Sequence, residues 1–145
     1  MYLRPLVIAA LVLALTACVS PVTSNAALQD TVSLSVSLTQ HEDGVDISEA
    51  TASLDEKIAA APNDPYVLKV AAGARVNLAN NAQDRALRVK LRQEALEQYD
   101  RAIALAKPTA PPRAVMMNGQ AMQISLSDLA DLRAALFATI QTDRG

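Results

Sequence analysis

The tetrapeptide Pro62-Asn63-Asp64-Pro65 limits what this chain can fold into more than any other feature. Proline lacks the N–H that a helix interior needs and its ring clashes with the preceding turn, yet it fits the first turn of a new helix. The corner therefore ends one helix and starts another, and Lys107-Pro108 with Pro111-Pro112 ends a later one. Around these corners apolar residues step by three or four. Asp46 or Ser48 can cap a helix running to Ala61, with Ala50, Leu54 and Ile58 as its stripe. Residues 65–80 carry Leu68, Ala71, Ala72, Val76 and Leu78, and Asn80-Asn81 is a weak break. Residues 82–106 make the longest helix, along Leu87, Leu91, Ala95, Tyr99, Ala102, Ile103 and Ala106. A last helix from Ser127 to Gln141 opens on a serine cap and carries Leu129, Leu132, Leu136, Phe137 and Ile140.

Composition agrees with a mainly α fold of antiparallel helical hairpins. The 145 residues include no Trp, one Phe and three Tyr, so the core must be built from small and aliphatic side chains. Runs such as Ala59-Ala60-Ala61 favour helices and let their axes approach closely. The single cysteine excludes an internal disulfide, and the formal net charge of −2 gives no footprint for nucleic acid.

Two segments have two readings each. Residues 31–39, TVSLSVSLT, alternate strictly, with Val32, Leu34, Val36 and Leu38 on one parity. That is the pattern of a short β segment, and its rival is the opening helix of a hairpin. In residues 113–124, Asn118-Gly119 is a strong β-hairpin signal that would pair Met117 with Gln120 and Val115 with Met122. As a helix the stretch carries a mid-helix Gly at about 1 kcal/mol but sets Val115 and Met122 on one face; the repeat argument below favours this helix.

The N-terminus carries the sharpest motif. Residues 1–4 include Arg4, and residues 5–17, PLVIAALVLALTA, are apolar and free of charge. A charged start, a short apolar run and small residues before a cut are the three parts of a secretory signal. The run is short of the roughly 20 residues a membrane span needs. Leu15-Thr16-Ala17-Cys18 at its end resembles the bacterial lipobox. The resemblance covers the first 18 residues and implies a lipoprotein: cleavage between Ala17 and Cys18, diacylglycerol on the Cys18 thiol, and a fatty acyl group on the new amino terminus. Each buried acyl methylene contributes about 0.8 kcal/mol, so several chains hold the protein at the membrane. In a Gram-negative envelope, Val19 after the cysteine implies delivery to the outer membrane, facing the periplasm. The expected layout is a signal peptide (1–17), a lipidated N-terminus with a flexible tether (18–27) and a helical domain (28–145).

Within that domain, ATASLDEKIAAAPNDP (50–65) and ALEQYDRAIALAKPTAP (95–111) look alike. Both resemble the second helix and closing turn of a tetratricopeptide repeat. Ala95, Tyr99 and Ala102 sit at that family's spacing; Ala50 and Leu54 match two places and Lys57 misses the third. The offset between the stretches is about 45 rather than 34 residues, an excess of about three helical turns that would keep the apolar face in phase. On this reading Tyr99 is a buried anchor, while Tyr66, just after the proline corner, contributes far less.

No catalytic set emerges. His41 is the only histidine and lies in the polar turn HEDG. Cys18 is consumed by lipid, which leaves no thiol nucleophile or zinc thiolate. Glu42, Asp43, Asp46 and Glu49 lack calcium-loop spacing and suit a solvated helix start. Arg85, Arg88 and Arg92 share one helical face. Because Asp84–Arg88, Lys90–Glu94 and Glu97–Arg101 are i,i+4 pairs, that face reads as solvated and salt-bridged; its sharper reading is contact with lipid headgroups or an acidic partner.

The chain is thus expected to be a non-enzymatic, lipid-anchored adaptor or scaffold for another envelope protein, with no metal or cofactor beyond the lipid on Cys18. The alternative is a structural envelope lipoprotein without a binding groove. Radiolabelled palmitate supplied to expressing cells should mark the wild type, whereas Cys18→Ser should remain an unlabelled, unprocessed precursor. Equal labelling of the two would refute the lipobox reading.

Overall fold

The computed structural model describes residues 21–40 and 44–144. They form α1 (Pro21–Gln40), α2 (Ile47–Ala60), α3 (Pro65–Asn81), α4 (Arg85–Leu105), β1 (Arg113–Met117), β2 (Gln120–Ile124) and α5 (Leu129–Arg144). The fold is mainly helical, with one small antiparallel two-stranded sheet. His41, Glu42 and Asp43 of the expected acidic turn lie outside the described residues.

Three aspartates set helix starts. The Asp46 carboxylate accepts from the N–H groups of Ser48 and Glu49 at 2.9 and 3.2 Å, Asp64 from Tyr66 at 2.9 Å, and Asp84 from Ala86 at 2.7 Å. Each satisfies N–H groups that have no partner within the helix. Asp84 explains why α4 begins at Arg85 rather than at residue 82.

Helix α3 is the hub. It packs against α1, α2 and α4, and α4 in turn carries α5. One core cluster joins Leu28 and Val32 of α1, Val67 and Leu68 of α3, Tyr99 of α4, Val115 of β1 and Ile140 of α5. A second joins Ala50 and Leu54 of α2 to Ala71, Ala74 and Leu78 of α3 and Leu91 of α4. Small residues on several sides of α3 let its neighbours come close. Arg75, 2% exposed, is the polar member of this arrangement. Its guanidinium pairs with Asp55 of α2 and lies 3.4 Å from the Glu94 carboxylate of α4, so one side chain ties three helices.

Residues 31–39 are helical, which settles the two readings against a strand. The alternation arises because α1 buries two faces. Val32 and Val36, four apart, pack on the first cluster, while Leu34 and Leu38 pack on the second. Two i,i+4 stripes on opposite sides of a helix reproduce a period of two in sequence. The intervening hydroxyls bond back to the helix itself, Thr31 to the Ala27 carbonyl and Thr39 to that of Val36, each at 2.7 Å. Residues 21–27, expected as tether, also belong to α1.

Residues 113–124 form the hairpin, correcting the helix reading. Asn118 (φ 51°) and Gly119 (φ 78°) both occupy the left-handed region, as a type I′ turn requires. Met117 pairs with Gln120 and Val115 with Met122.

Tyr66 overturns a second expectation. It is as buried as Tyr99 (3% against 4%), because its hydroxyl donates to the Pro111 carbonyl at 2.5 Å and the Arg113 guanidinium sits 4.1 Å above its ring. Tyr66→Ala and Tyr99→Ala should therefore each destabilise the full-length protein in detergent micelles by about 3–5 kcal/mol. The check is a thermal or urea melt followed by circular dichroism; a Tyr66→Ala melt like that of the wild type would contradict this placement.

Candidate functional site: a groove beside the hairpin

The site begins with a glycine inside a helix. A Cβ at Gly73 of α3 would stand 3.7 Å from the Tyr99 hydroxyl, so the missing side chain leaves room above the phenol. Over this floor lies a groove of about 450 Å³. Val32 and Val36 of α1 form one wall, with Val70 and Val76 of α3 beside the floor. Met122 and Ile124 of β2 and Leu132 of α5 complete the lining. Lys69 fastens one end: its ammonium donates to the Ser125 carbonyl and to the Asp128 carboxylate, both at 2.5 Å. The lysine charge is thereby matched, and the rest of the groove is uncharged and largely apolar, with Ser35, Asn77 and Gln123 at its margins.

Tyr99 places a hydroxyl on its floor. The ring is 4% exposed, and no group among the described residues hydrogen-bonds the hydroxyl. Burial, and secondarily the negative charge of Asp128, push its pKa from 10.0 up to about 12. The phenol therefore stays protonated, a donor aimed at the groove.

The hairpin is held over the helices by polar fastenings. The Gln29 side chain of α1 donates to the Met116 carbonyl and accepts from the Met116 N–H, both at 2.7 Å. At the proline-rich corner, Arg113 donates to Asp64 at 2.5 Å. A second cavity, about 570 Å³, lies there beside Tyr66, Pro111 and Arg113. Its Tyr66 and Arg113 side chains are engaged in tying that corner together, so the groove over Tyr99 is the stronger candidate.

The residues singled out from sequence fall elsewhere. Ala17 and Cys18 lie outside the described residues. Arg85, Arg88 and Arg92 are not an outward row of solvated cations. Arg92, 8% exposed, pairs with Asp143 and donates to the Asn80 side chain at 3.0 Å. Arg85 donates to the Asp143 carbonyl, and Arg88 to the Ala82 carbonyl at 2.9 Å. Arg85 and Arg92 thus clasp the C-terminal turn of α5, where cations complement the helix dipole. Of the three expected i,i+4 pairs, Lys90–Glu94 forms, at 3.8 Å. Sequence reasoning missed the groove. Its one available signal was Gly73, a glycine in a helix interior with no turn to serve.

Among the described residues no cluster of His, Cys, Asp and Glu could hold a metal, and no helix is long and apolar enough to cross a membrane. The chain matches no family model, and neither a curated protein nor a solved structure is significantly similar to it.

The phenol makes stability pH-dependent. Because the folded pKa is raised above that of the unfolded chain, the contribution is complete below pH 10 and is lost as pH rises toward about 12. Alkaline titration at 295 nm should show a late phenolate step that Tyr99→Phe removes, and Asp128→Asn should move that step to lower pH. A late step that survives in Tyr99→Phe would contradict the assignment.

Proposed function

We propose that this protein is a lipid-anchored, non-enzymatic adaptor on the periplasmic face of the outer membrane. It would be attached through diacylglycerol and fatty acyl on Cys18 and engage another envelope protein through the groove over Tyr99. The observation that carries the binding role is the groove itself, a largely apolar lining into which the Tyr99 hydroxyl opens with no hydrogen-bond partner among the described residues. A mostly apolar pocket with a few placed donors is the usual form of a binding site. The anchor rests on Leu15-Thr16-Ala17-Cys18.

Geometry links the two halves. Helix α1 starts three residues after Cys18, and Val32 lies eleven residues along it. At about 1.5 Å per residue the groove stands roughly 16 Å along the helix from its start, near enough to a bilayer for a membrane-bound partner. We read α3 and α4 as a tetratricopeptide-like hairpin on the strength of Ala95, Tyr99 and Ala102, which are buried together.

A photocrosslinking residue at Val76, in cells, tests the adaptor. One dominant adduct with an envelope protein, absent when the crosslinker is moved to exposed Gln83, is the expected outcome. Diffuse or no adducts at Val76 would favour the structural lipoprotein without a specific partner.

A further inference from the structure

We propose that the groove is completed by an extended, uncharged segment of the partner protein, which adds to the sheet as a third strand along the outer edge of β2. This occupant deepens the docking role of the groove and rests on it.

The hairpin dictates which backbone groups face outward. With a two-residue turn, Met117 and Gln120 bond each other, and bonded pairs then alternate along the ladder. Val115 with Met122 and Arg113 with Ile124 point inward, so Ala121 and Gln123 turn their N–H and C=O groups away from β1. The same alternation turns Met116 outward on β1, and there the Gln29 amide occupies both groups in place of a neighbouring strand. The edge of β2 has no such cover. Among the described residues nothing bonds the outward groups of Ala121 and Gln123, and both residues are exposed. Open strand edges are usually guarded by charge or proline; β2 reads Gln-Ala-Met-Gln-Ile and has neither. The β1 edge is covered at Met116 and open at exposed Ala114, whereas the β2 edge is covered at neither of its outward residues.

That available edge borders the groove, where Gln123 lies in the lining beside Met122 and Ile124. A strand laid along it would make main-chain bonds to Ala121 and Gln123 and direct alternate side chains inward over Val70 and Val76. The Tyr99 donor would meet an acceptor on the same segment. With Lys69 matched by Asp128, a charged residue in the incoming strand would find no counter-charge. An acyl chain could fill the apolar volume but would leave the edge N–H and C=O groups unmet. A second copy pairing β2 with β2 would bring inner side chains already packed on its own core, leaving the groove empty.

Selection of a phage-displayed library of random nonapeptides on the full-length protein in detergent micelles tests this. Selected peptides should alternate apolar and uncharged residues. Synthetic copies N-methylated at the amides facing β2 should bind at least about tenfold more weakly, as the loss of a main-chain bond and an added clash require, while methylation at the intervening amides leaves affinity unchanged. Gln123→Pro, which removes one outward donor, should weaken binding comparably, and the peptide series stands even where that variant folds poorly. Binding indifferent to N-methylation, displacement of the peptide by laurate at equal concentration, or a dimer abolished by Gln123→Pro would each overturn strand addition. A Val76 adduct with one envelope protein that persists in Gln123→Pro would overturn strand addition but leave the docking role intact; absence of any Val76 adduct would remove both.

Discussion

Everything in this fold leans on α3 having almost no side it can give to solvent. Its buried residues run from Tyr66 to Ala79 and include Val67, Leu68, Ala71, Ala72, Ala74 and Leu78. A helix apolar on most of its circumference is stable only when other helices enclose it, and α1, α2 and α4 do so. Arg75 is the price of that enclosure and also its register mark. A guanidinium held 2% exposed needs partners from more than one direction, and Asp55 and Glu94 supply them from α2 and α4. Removing both carboxylates would leave the guanidinium buried without compensation, which is costlier than the pairs are stabilising. The pairing therefore selects one mutual arrangement of three helices that small alanine faces alone would allow to slide.

The hairpin follows a different logic. Val115 is its buried side chain, while Met122 and Ile124 are half-buried, so apolar packing alone does not seat it. It hangs instead from polar fastenings at its margins: Gln29 on Met116, Lys69 on Ser125, and the Arg113 contacts with Asp64 and Tyr66. Fastening at the margins leaves the middle unfilled. The groove is the consequence, and Gly73 deepens it where any larger side chain would project toward Tyr99.

The helix ends at the proline corner and at Asp46 are legible in the sequence because they depend on local chemistry, whereas α4 starts at Arg85 rather than 82 and α5 at Leu129 rather than Ser127. Asp46, Asp64 and Asp84 cap the helices that follow them, and Pro65 stands in a first turn. The two ambiguous segments differ in why they resist reading. In α1, alternation at Val32, Leu34, Val36 and Leu38 is produced by two buried stripes, a circumstance set by which helices lie on either side. In the hairpin, the Asn118-Gly119 signal is local and sound, and an argument from repeat symmetry displaced it. The arginine row fails for a third reason: Asp143 lies 51 residues beyond Arg92, so no pattern within α4 reveals that Arg92 is buried against it. Tyr66 fails likewise, since its partner Pro111 is 45 residues away. The groove is hardest of all, being a property of where five elements stop short of one another.

The two edges of one hairpin show how such a site is kept specific. An extended pair of strands with both edges open would invite pairing on either side, and aggregation with it. Gln29 obstructs pairing along β1 at Met116 with a single side-chain amide, whose donor and acceptor imitate a strand's own peptide group. The hydrogen bonds come from α1, so the obstructed edge is the one that faces that helix. Lys69 then fixes the end of β2 by holding the Ser125 carbonyl, which limits how far an added strand can run. What is left is a short edge, open on one side, bounded at one end and lined beneath by apolar side chains. A surface so bounded selects for an extended segment of a few residues and against a continuing sheet.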